Sequence, residues 1–385
     1  MNTLRPEVLV VGLGAMGSAA LYQLAKRGAN VLGIDQYSPP HAFGSTHGET
    51  RITREAVGEG AAFVPLAMRS HLLWREIERE AGVNLLNQCG GLILARAGGD
   101  SHMHAQRDFL GNTVAFATQF GVRHEVLDAN EIQSRYPQLQ LSGDETGYFE
   151  PGAGYLLPEV CVQAQLQLAR THGAKFSLGE RAQSIMLDGE RAIIETDRAR
   201  YAPDVTIVCA GPWLPGLLAE KIPRPLVVRR QTLHWFAAKN PGDYAADRFP
   251  IFIWHWGNHE DDVFYGFPDL GGGVKIASEQ MIESTTPEAV VREVDPVESA
   301  ALHARHIAGR LRGITNRVVK TATCLYTNTP DANFLIDRLP GAPGVIVISA
   351  CSGHGFKHSA AIGEAVAEMT VAGAVPAVLR PFAIT

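Results

Sequence analysis

The chain has 385 residues, 46% of them hydrophobic and 19% charged, which excludes a disordered tail or a collagen-like repeat and supplies enough apolar side chains for a sizeable core. Its net charge of −6, without a dense block of Lys and Arg, argues against a nucleic-acid or membrane-surface binder, and no apolar run approaches the ~18 residues of a membrane span. Five widely spaced cysteines without a C-x-x-C pair, and a start without an apolar signal segment, indicate a reducing compartment, so we expect a cytoplasmic enzyme without a structural metal.

The N-terminal residues predict a βαβ unit. A short apolar strand over residues 7–11 runs into a glycine-rich turn over residues 12–17, and a helical pattern follows over residues 18–28. A second apolar strand over residues 29–34 ends at Asp35. Strand, turn, helix and parallel strand in this order are typical of the start of a doubly wound sheet.

The turn has the G-x-G-x-x-G spacing of dinucleotide-binding folds. Gly12 permits the tight turn, Gly14 lets the backbone approach a pyrophosphate, and Gly17 lets the helix pack closely on the strand. Asp35, at the end of the second strand, is expected to accept hydrogen bonds from ribose hydroxyls. The motif therefore predicts a dinucleotide cofactor but does not separate NAD from FAD.

The rest of the chain mixes helical and strand patterns. Residues 36–50 are irregular and too long for a passive turn, whereas residues 229–275 are rich in aromatic residues and alternate as a sheet does. Because this part differs from the βαβ start, we expect two kinds of structure that interleave along the chain. The other helices are predicted over residues 66–81, 156–173, 297–311 and 357–372, and the other strands over residues 92–95, 192–196, 205–209 and 344–350.

Two pairs of side chains in these elements are ambiguous. His303 and His306, on the predicted helix over residues 297–311, could be two metal ligands, but no third is evident and a solvated helix face is the preferred interpretation. Trp254 and Trp256 point to the same face of a strand, so they belong either to the core or to the wall of a pocket.

The segment Gly44-Ser45-Thr46-His47-Gly48-Glu49-Thr50-Arg51-Ile52-Thr53-Arg54 resembles one family closely. The corresponding stretch occurs in monomeric sarcosine oxidase and N-methyltryptophan oxidase, which are FAD enzymes related to D-amino-acid oxidase. Further segments of the chain resemble the same family in the same order, over residues 150–154, 207–213, 324–331 and 352–357. Together the similarity extends over nearly the whole chain, so it is far more specific than the glycine-rich turn alone.

The resemblance implies a mixed α/β fold with two interleaved domains. A Rossmann-like FAD-binding domain would comprise residues 1–85, 150–215 and 320–385. A substrate domain built on a mixed β-sheet would comprise residues 86–149 and 216–319 and cover the flavin ring. The resemblance also implies a monomer.

The resemblance further assigns roles to individual residues. Cys324 falls where the family tethers the flavin through a thioether, and Arg51 and Lys275 fall where cations face the flavin ring. Arg54 and Lys357 fall where cations hold the substrate carboxylate. His47 and Tyr265 would form part of the catalytic wall. The remaining cofactor contacts would be formed by Ser45, Thr46, Gly353, Gly355 and Lys357.

The implied reaction is the oxidation of a secondary amino acid by O2. Hydride transfer from the substrate to the flavin gives an imine, and O2 is then reduced to H2O2. The cations Arg51 and Lys275 suit that chemistry, because a fixed cation lowers the barrier to forming negative charge on the flavin or on oxygen. An Arg fork with a second cation suits an α-carboxylate.

One departure from the pattern leaves the substrate open. Four residues after Lys275 sarcosine oxidase has a histidine, whereas this chain has Glu279, which makes it similar to the fructosyl-amino-acid oxidases at that position. A carboxylate accepts hydrogen bonds from hydroxyl or ammonium groups. A cyclic imino acid or a sugar-amine adduct therefore remains an alternative substrate, and a dehydrogenase of the same fold remains an alternative enzyme.

Overall fold

The computed structural model describes residues 3–96, 98 and 101–384. Its α-helices are α1 Ala15–Lys26, α2 Val64–Ala81, α3 Phe109–Phe120, α4 Ala129–Arg135, α5 Pro158–Thr171, α6 Leu214–Leu218, α7 Pro296–Leu302 and α8 Ser359–Ala372. Its strands are β1 Thr3–Leu4, β2 Val8–Val11, β3 Val31–Asp35, β4 Arg51–Thr53, β5 Leu86–Asn87, β6 Gly91–Arg96, β7 Glu125–Asp128, β8 Glu145–Glu150, β9 Gly154–Leu156, β10 Lys175–Leu178, β11 Ala182–Asp188, β12 Arg191–Thr196, β13 Arg200–Tyr201, β14 Val205–Val208, β15 Val227–Ala238, β16 Ile251–His255, β17 Val263–Gly266, β18 Val274–Ala277, β19 Ile314–Asn328, β20 Leu335–Leu339 and β21 Ala342–Ser349. None of the helices within these described ranges has both the length and the apolar composition needed to cross a bilayer.

The predicted βαβ unit forms the centre of a six-stranded sheet with the order β10-β3-β2-β14-β21-β20. The first five strands are parallel and β20 is antiparallel at the edge. Every residue of β2 is buried, as expected for a parallel sheet that is covered on both faces. The prediction is therefore confirmed, although α1 begins at Ala15, inside the glycine-rich turn rather than after it.

Each face of this sheet packs against a different layer. Helices α1, α2, α5 and α8 share one continuous apolar core with the first face. On the second face, Ile185, Ile194 and Tyr201 from a four-stranded sheet pack against Leu9 and Val11. The resulting helix–sheet–sheet arrangement confirms the predicted mixed α/β fold class.

The aromatic-rich segment forms part of a mixed eight-stranded sheet with the order β19-β15-β18-β17-β16-β6-β8-β7. Successive side chains of β16 point to opposite faces, so Phe252 and Trp254 enter an apolar core whereas Ile253 lines a cavity. Trp256 packs against the same core, and the Arg310 guanidinium lies 3.7 Å from the centre of its ring. The tryptophan pair therefore belongs to the core rather than to a pocket wall.

The helix predicted over residues 297–311 is shorter than expected. α7 ends at Leu302 and continues only as a π-helical turn over His303–Ile307. The solvated-face interpretation is wrong for His306, which is buried and hydrogen-bonded to Trp256 Nε1 through its Nδ1 at 3.1 Å. Burial lowers the pKa of His306 to about 4, so the ring packs as a neutral group.

The five parallel strands of the six-stranded sheet end at the same edge, and four of them lead into segments that the sequence analysis singled out. β2 runs into the glycine-rich turn, β3 ends at Asp35, β14 runs into residues 209–213, and β21 runs into residues 350–357. In open α/β sheets the crevice outside these carboxyl ends is where ligands bind. The fold thereby collects segments that are far apart in the sequence at one edge.

Candidate active site

A cavity of about 600 Å³ lies at this edge and extends to residues of the eight-stranded sheet. Its size is that of a typical small-molecule or cofactor site. Two of the predicted site residues, Gly17 and His47, do not line it. The predicted residues that do line it are Gly12, Gly14, Asp35, Ser45, Thr46, Arg51, Arg54, Tyr265, Lys275, Glu279, Cys324, Gly353, Gly355 and Lys357.

The glycine-rich turn forms one end of the cavity. Gly12 has a φ of +87°, and a Cβ there would lie only 2.5 Å from the Cys209 carbonyl oxygen, so no other residue fits. Gly14 is the N-cap of α1, whose first turn contains no acidic residue. Gly17 packs against the Gly12 carbonyl instead of lining the cavity. The helix N-terminus is therefore open to an anionic group.

Asp35 is held rigidly beside this turn. Its Oδ2 accepts a hydrogen bond from the Leu13 N–H at 2.8 Å, and its Oδ1 accepts one from the Tyr37 N–H at 2.8 Å. Burial raises the pKa of Asp35, and the two backbone hydrogen bonds oppose that rise. Each carboxylate oxygen keeps a second lone pair, which a hydroxyl donor in the cavity could use.

Ser45, Arg51 and Cys324 meet in the middle of the cavity lining. Arg51 Nη2 lies 2.8 Å from the Ser45 carbonyl oxygen and 3.5 Å from Cys324 Sγ. Cys324 is 1% exposed, and its Sγ lies 3.3 Å from the same carbonyl oxygen. A guanidinium at this place is positioned to stabilise negative charge that develops on the sulfur.

His47 lies behind the cavity wall and is 5% exposed. Burial, together with the nearby cations Arg51 and Lys275, lowers its pKa to about 3. The imidazole is therefore neutral at physiological pH. A neutral imidazole at this place suits packing or the positioning of neighbouring residues better than proton donation.

The Lys275 ammonium is buried at the cavity wall and is held by backbone. It donates to the carbonyl oxygens of Gly48 and Thr50 at 2.7 and 2.8 Å and lies 3.2 Å from Thr50 Oγ1. Its Nζ also lies 4.5 Å from the centre of the Phe267 ring. Burial, with a contribution from Arg51, holds the pKa of Lys275 well below its usual value. Lys275 is therefore not a solvated surface lysine.

Arg54 and Lys357 bind the same carboxylate. Arg54 Nη2 lies 2.8 Å from Glu59 Oε2, and Lys357 Nζ lies 3.2 Å from Glu59 Oε1. Burial favours the protonated form of Glu59, but the two cations outweigh it and hold the pKa of this carboxyl well below its usual value. Burial also lowers the pKa of Lys357 to about 8. The structure thus places a two-cation carboxylate site in the cavity.

Glu279 belongs to an ion pair on the neighbouring part of the wall. Its Oε1 lies 2.6 Å from His104 Nε2, and His104 Nδ1 lies 3.4 Å from Glu59 Oε1. The hydroxyls of Tyr265 and Tyr326 are 3.5 Å apart, and burial raises the pKa of Tyr265 to about 12. This part of the wall therefore combines a carboxylate with two phenols that stay protonated.

Sequence reasoning missed three of these wall residues. Glu59 lies between two glycines five residues after Arg54, and a carboxylate so close to a cation that is expected to bind the substrate could have been noticed. Tyr326 follows Cys324 by two positions on the same strand, so both point to one face. His104 lies on a turn with a φ of 49°, and no local pattern marks it.

The sequence of the chain matches one family model and is similar to proteins of known name. The family model described as FAD dependent oxidoreductase matches residues 7–369. The chain belongs to this family. It is 38% identical to the monomeric sarcosine oxidase of Streptomyces avermitilis over 375 residues, 95% of this chain and 94% of that protein. It is 34% identical to the N-methyl-L-tryptophan oxidase of Escherichia coli O127:H6 over 366 residues, 94% of each chain.

The solved structure of NikD, described as an unusual amino acid oxidase essential for nikkomycin biosynthesis, has the same fold. It superposes with a TM-score of 0.85 at 22% identity and covers 99% of this chain and 98% of that chain. The chain is thus an FAD-dependent oxidoreductase similar to sarcosine and N-methyltryptophan oxidases.

The cavity of this FAD-dependent oxidoreductase fits its cofactor. Ser45 Oγ is buried in the lining without a hydrogen-bond partner among the described residues, which is the situation of a group that awaits a ligand. Gly14 at the start of α1 would receive the pyrophosphate and Asp35 a ribose. Arg51 and Lys275 would face the ring. Within the described ranges, no three His, Cys, Asp or Glu side chains are grouped as a metal site.

Proposed function

We propose that the protein is an oxidase of secondary amino acids that uses O2 as its electron acceptor. The observation that carries this proposal is the pair of cations, Arg54 and Lys357, that binds the two oxygens of the Glu59 carboxylate inside the cavity. A guanidinium fork with an ammonium suits an α-carboxylate equally well. The substrate carboxylate would therefore take the place of the Glu59 carboxylate.

The amine would lie against the wall formed by Glu279, Tyr265 and Tyr326. In the reaction the substrate carbon loses a hydride and the nitrogen loses a proton as the C=N bond forms, while O2 takes up both electrons and two protons to give H2O2. FAD supplies the two-electron acceptor for the first half of this reaction and the donor to O2 for the second. The phenols and the carboxylate offer lone pairs that hold the amine N–H and orient its C–H bond.

Lys275 and Cys324 would serve the cofactor. The buried ammonium of Lys275 stabilises negative charge where O2 is reduced, because it is fixed in place before the reaction. Cys324 would form a thioether with the flavin methyl group. That bond removes the thiol hydrogen and one methyl hydrogen, a two-electron oxidation for which O2 is the acceptor. Arg51, 3.5 Å from the sulfur, is placed to stabilise negative charge that develops on it during this step.

Glu279 supports a second candidate substrate class. Its Oε1 is occupied by His104, whereas no side chain in the described part of the chain donates to its Oε2. A free carboxylate oxygen on a cavity wall favours a substrate with an additional hydroxyl or ammonium group, such as a sugar-amine adduct. We therefore keep a fructosyl-amino-acid or cyclic imino-acid oxidase as the alternative to a sarcosine oxidase.

The domain division and the monomer belong to the same proposal. Residues 1–85, 150–215 and 320–385 would bind FAD, and residues 86–149 and 216–319 would cover the substrate. The boundary near residue 320 falls inside β19. This strand would therefore begin in the substrate domain and end, with Cys324, in the FAD-binding domain. Light scattering after size exclusion tests the monomer, and one chain mass is the expected result.

The deciding experiment is an amine screen on the purified yellow protein. Sarcosine, N-methyl-tryptophan, pipecolate and fructosyl-glycine are each incubated with the enzyme in air, and H2O2 is quantified against substrate consumed. We expect one H2O2 for each imine formed. Turnover that requires an added quinone or dye would instead identify a dehydrogenase, and a protein that oxidises none of these amines would contradict the proposal.

A further inference from the structure

The turn that holds Lys275 has an unusual backbone. Gly48 has a φ of +96° and Glu49, which is not a glycine, has a φ of 69°. A Cβ on Gly48 would lie 2.7 Å from Leu233 and 3.7 Å from Lys275 Nζ, so the turn is packed tightly against the ammonium. Two successive residues in the left-handed region are costly for an L-residue at the second position. Something must hold this turn in place.

The Glu159 carboxylate does so from helix α5. Its Oε1 accepts hydrogen bonds from the Gly48 N–H at 2.6 Å and from the Glu49 N–H at 3.1 Å. Successive N–H groups in such a conformation form a concave anion-binding nest, and here a side chain of the protein fills it. Glu159 lies in the first turn of α5, where the helix dipole favours a negative charge.

The other side of the same turn binds two cations of the cavity wall, Lys275 and Arg51. The Gly48 and Thr50 carbonyl oxygens accept from Lys275 Nζ, and the Thr50 carbonyl oxygen also accepts from Arg51 Nη1 at 2.9 Å. The turn thus has its N–H groups directed at a carboxylate and its carbonyl groups directed at an ammonium and a guanidinium.

We propose that Glu159 is a positioning residue for Lys275: by binding the N–H groups of the Gly48–Thr50 turn it fixes the carbonyl oxygens that hold the ammonium at the cavity wall. The inference rests on the proposed role of Lys275 in the reaction with O2. Glu159 touches neither the cavity centre nor the reacting atoms and acts only through the turn and through its charge.

The charge of Glu159 matters as well as its hydrogen bonds. Its negative charge favours the ammonium form of Lys275, which burial and Arg51 oppose. Removing the charge therefore makes Lys275 lose its proton at a lower pH. The other titratable or charged groups around the ammonium, from the preceding turn and from β4 and β19, are His47, Glu49, Arg51, Lys320 and Cys324.

The test uses the FAD-loaded enzyme and needs no identified substrate. The flavin is reduced anaerobically with dithionite and mixed with oxygenated buffer in a stopped-flow instrument across a pH series. In a second measurement, which does not depend on activity, the absorption spectrum of the oxidised flavin is titrated with pH. The variants are Glu159→Gln, Glu159→Ala and Lys275→Met, with Gln163→Ala on the exposed face of α5 as the matched control.

Glu159→Gln keeps the size and one acceptor atom but loses the charge. We expect the pH at which reoxidation falls, and the matching spectral midpoint, to move down by about one unit. Glu159→Ala should in addition slow reoxidation by about tenfold at every pH, and Gln163→Ala should behave as the wild type. A merely structural role would lower flavin content or thermal stability without moving the pH midpoint.

The outcomes separate the inference from the function on which it rests. If Lys275→Met slows reoxidation but both Glu159 variants keep the wild-type midpoint, or if Gln163→Ala shifts it equally, the inference about Glu159 is wrong. If the Lys275→Met variant is reoxidised at the wild-type rate, the proposed role of Lys275 is wrong, whatever the Glu159 variants do.

Discussion

His104 Nε2 and Glu279 Oε1 lie 2.6 Å apart on the cavity wall. Burial lowers the pKa of His104, but the carboxylates of Glu279 and Glu59 outweigh it and raise the pKa to about 9. The imidazole is therefore a cation at neutral pH and bridges the two carboxylates. Its state is the opposite of that of His47, whose pKa is lowered to about 3.

We predict that His104→Gln removes a pH dependence of stability. Because the folded-state pKa of about 9 exceeds the ordinary 6.5, the stabilisation by this cation is complete below pH 6.5 and is lost as the pH rises through 9. The wild type should lose about 2–3 kcal/mol more free energy of unfolding than the variant over this range. Urea unfolding at both ends of the range measures the difference, with the exposed His259→Gln as control. Equal pH slopes would contradict the ion pair.

Arg54→Ala should weaken carboxylate binding. Truncating one charged partner of a buried carboxylate costs about 2–5 kcal/mol, so the Kd of acetate, read from the flavin spectrum, should rise accordingly. Arg69→Ala is the matched control, because Arg69 forms ion pairs with Glu76 and Glu364 at the surface, away from the cavity. An unchanged acetate affinity in Arg54→Ala would remove this residue from substrate binding.

Glu59→Gln should have the opposite effect. The Glu59 carboxylate binds both cations, and a ligand carboxylate that takes its proposed place would have to displace it. Replacing it with a neutral amide removes the competing charge, so the Kd of acetate should fall by about tenfold or more. The same spectral titration measures this change. Weaker binding in Glu59→Gln would mean that Glu59 holds the cations in position rather than competing for them.

Cys324→Ala should release the flavin from covalent attachment. After acid precipitation the wild-type protein should retain its yellow colour in the pellet, whereas the variant should lose it to the supernatant. Cys351→Ala is a stringent control, because Cys351 lines the same cavity. A flavin peptide that maps to Cys351, or a flavin that washes off the wild type, would refute the attachment at Cys324.

Lys275→Met keeps the length of the side chain and deletes its charge. Reoxidation of the flavin by O2 should slow by about 100-fold, since ~1.4 kcal/mol corresponds to tenfold and a fixed buried charge supplies several times that. Flavin reduction should slow less, because Arg51 keeps its charge at the cavity wall. Stopped-flow measurement of both half-reactions checks this, with the exposed Lys239→Met as control. Equal losses in both half-reactions would indicate a collapsed site.

Much of the fold was predictable from local patterns. The βαβ start, α2, α5 and α8 have buried apolar faces or strands flanked by glycine or proline, and these patterns depend on a few neighbouring residues. The helix over residues 297–311 was not predictable to its end. Its second half is a π-helical turn in which His306 accepts a hydrogen bond from Trp256, a contact between residues 50 positions apart that no local pattern encodes.

The site residues could be predicted where several of them lie together in one short segment of the sequence. The glycine-rich turn and the segments around Arg51 and Cys324 could be found because each keeps a recognisable local sequence. His104 and Glu159 could not, since their importance comes from partners that are 175 and 111 residues away. A lone histidine and a helix-start glutamate carry no local pattern, and only the folded chain shows which charges they meet.

The order of strands in the six-stranded sheet has a consequence for biosynthesis. Its last two strands, β20 and β21, and the segment with Lys357 are translated long after the glycine-rich turn at the other end of the chain. A nascent chain on the ribosome therefore has half of the carboxylate site and an unfinished sheet edge until these residues have been synthesised. Cofactor loading is accordingly expected after translation, and chains that stop before β20 should be purified colourless.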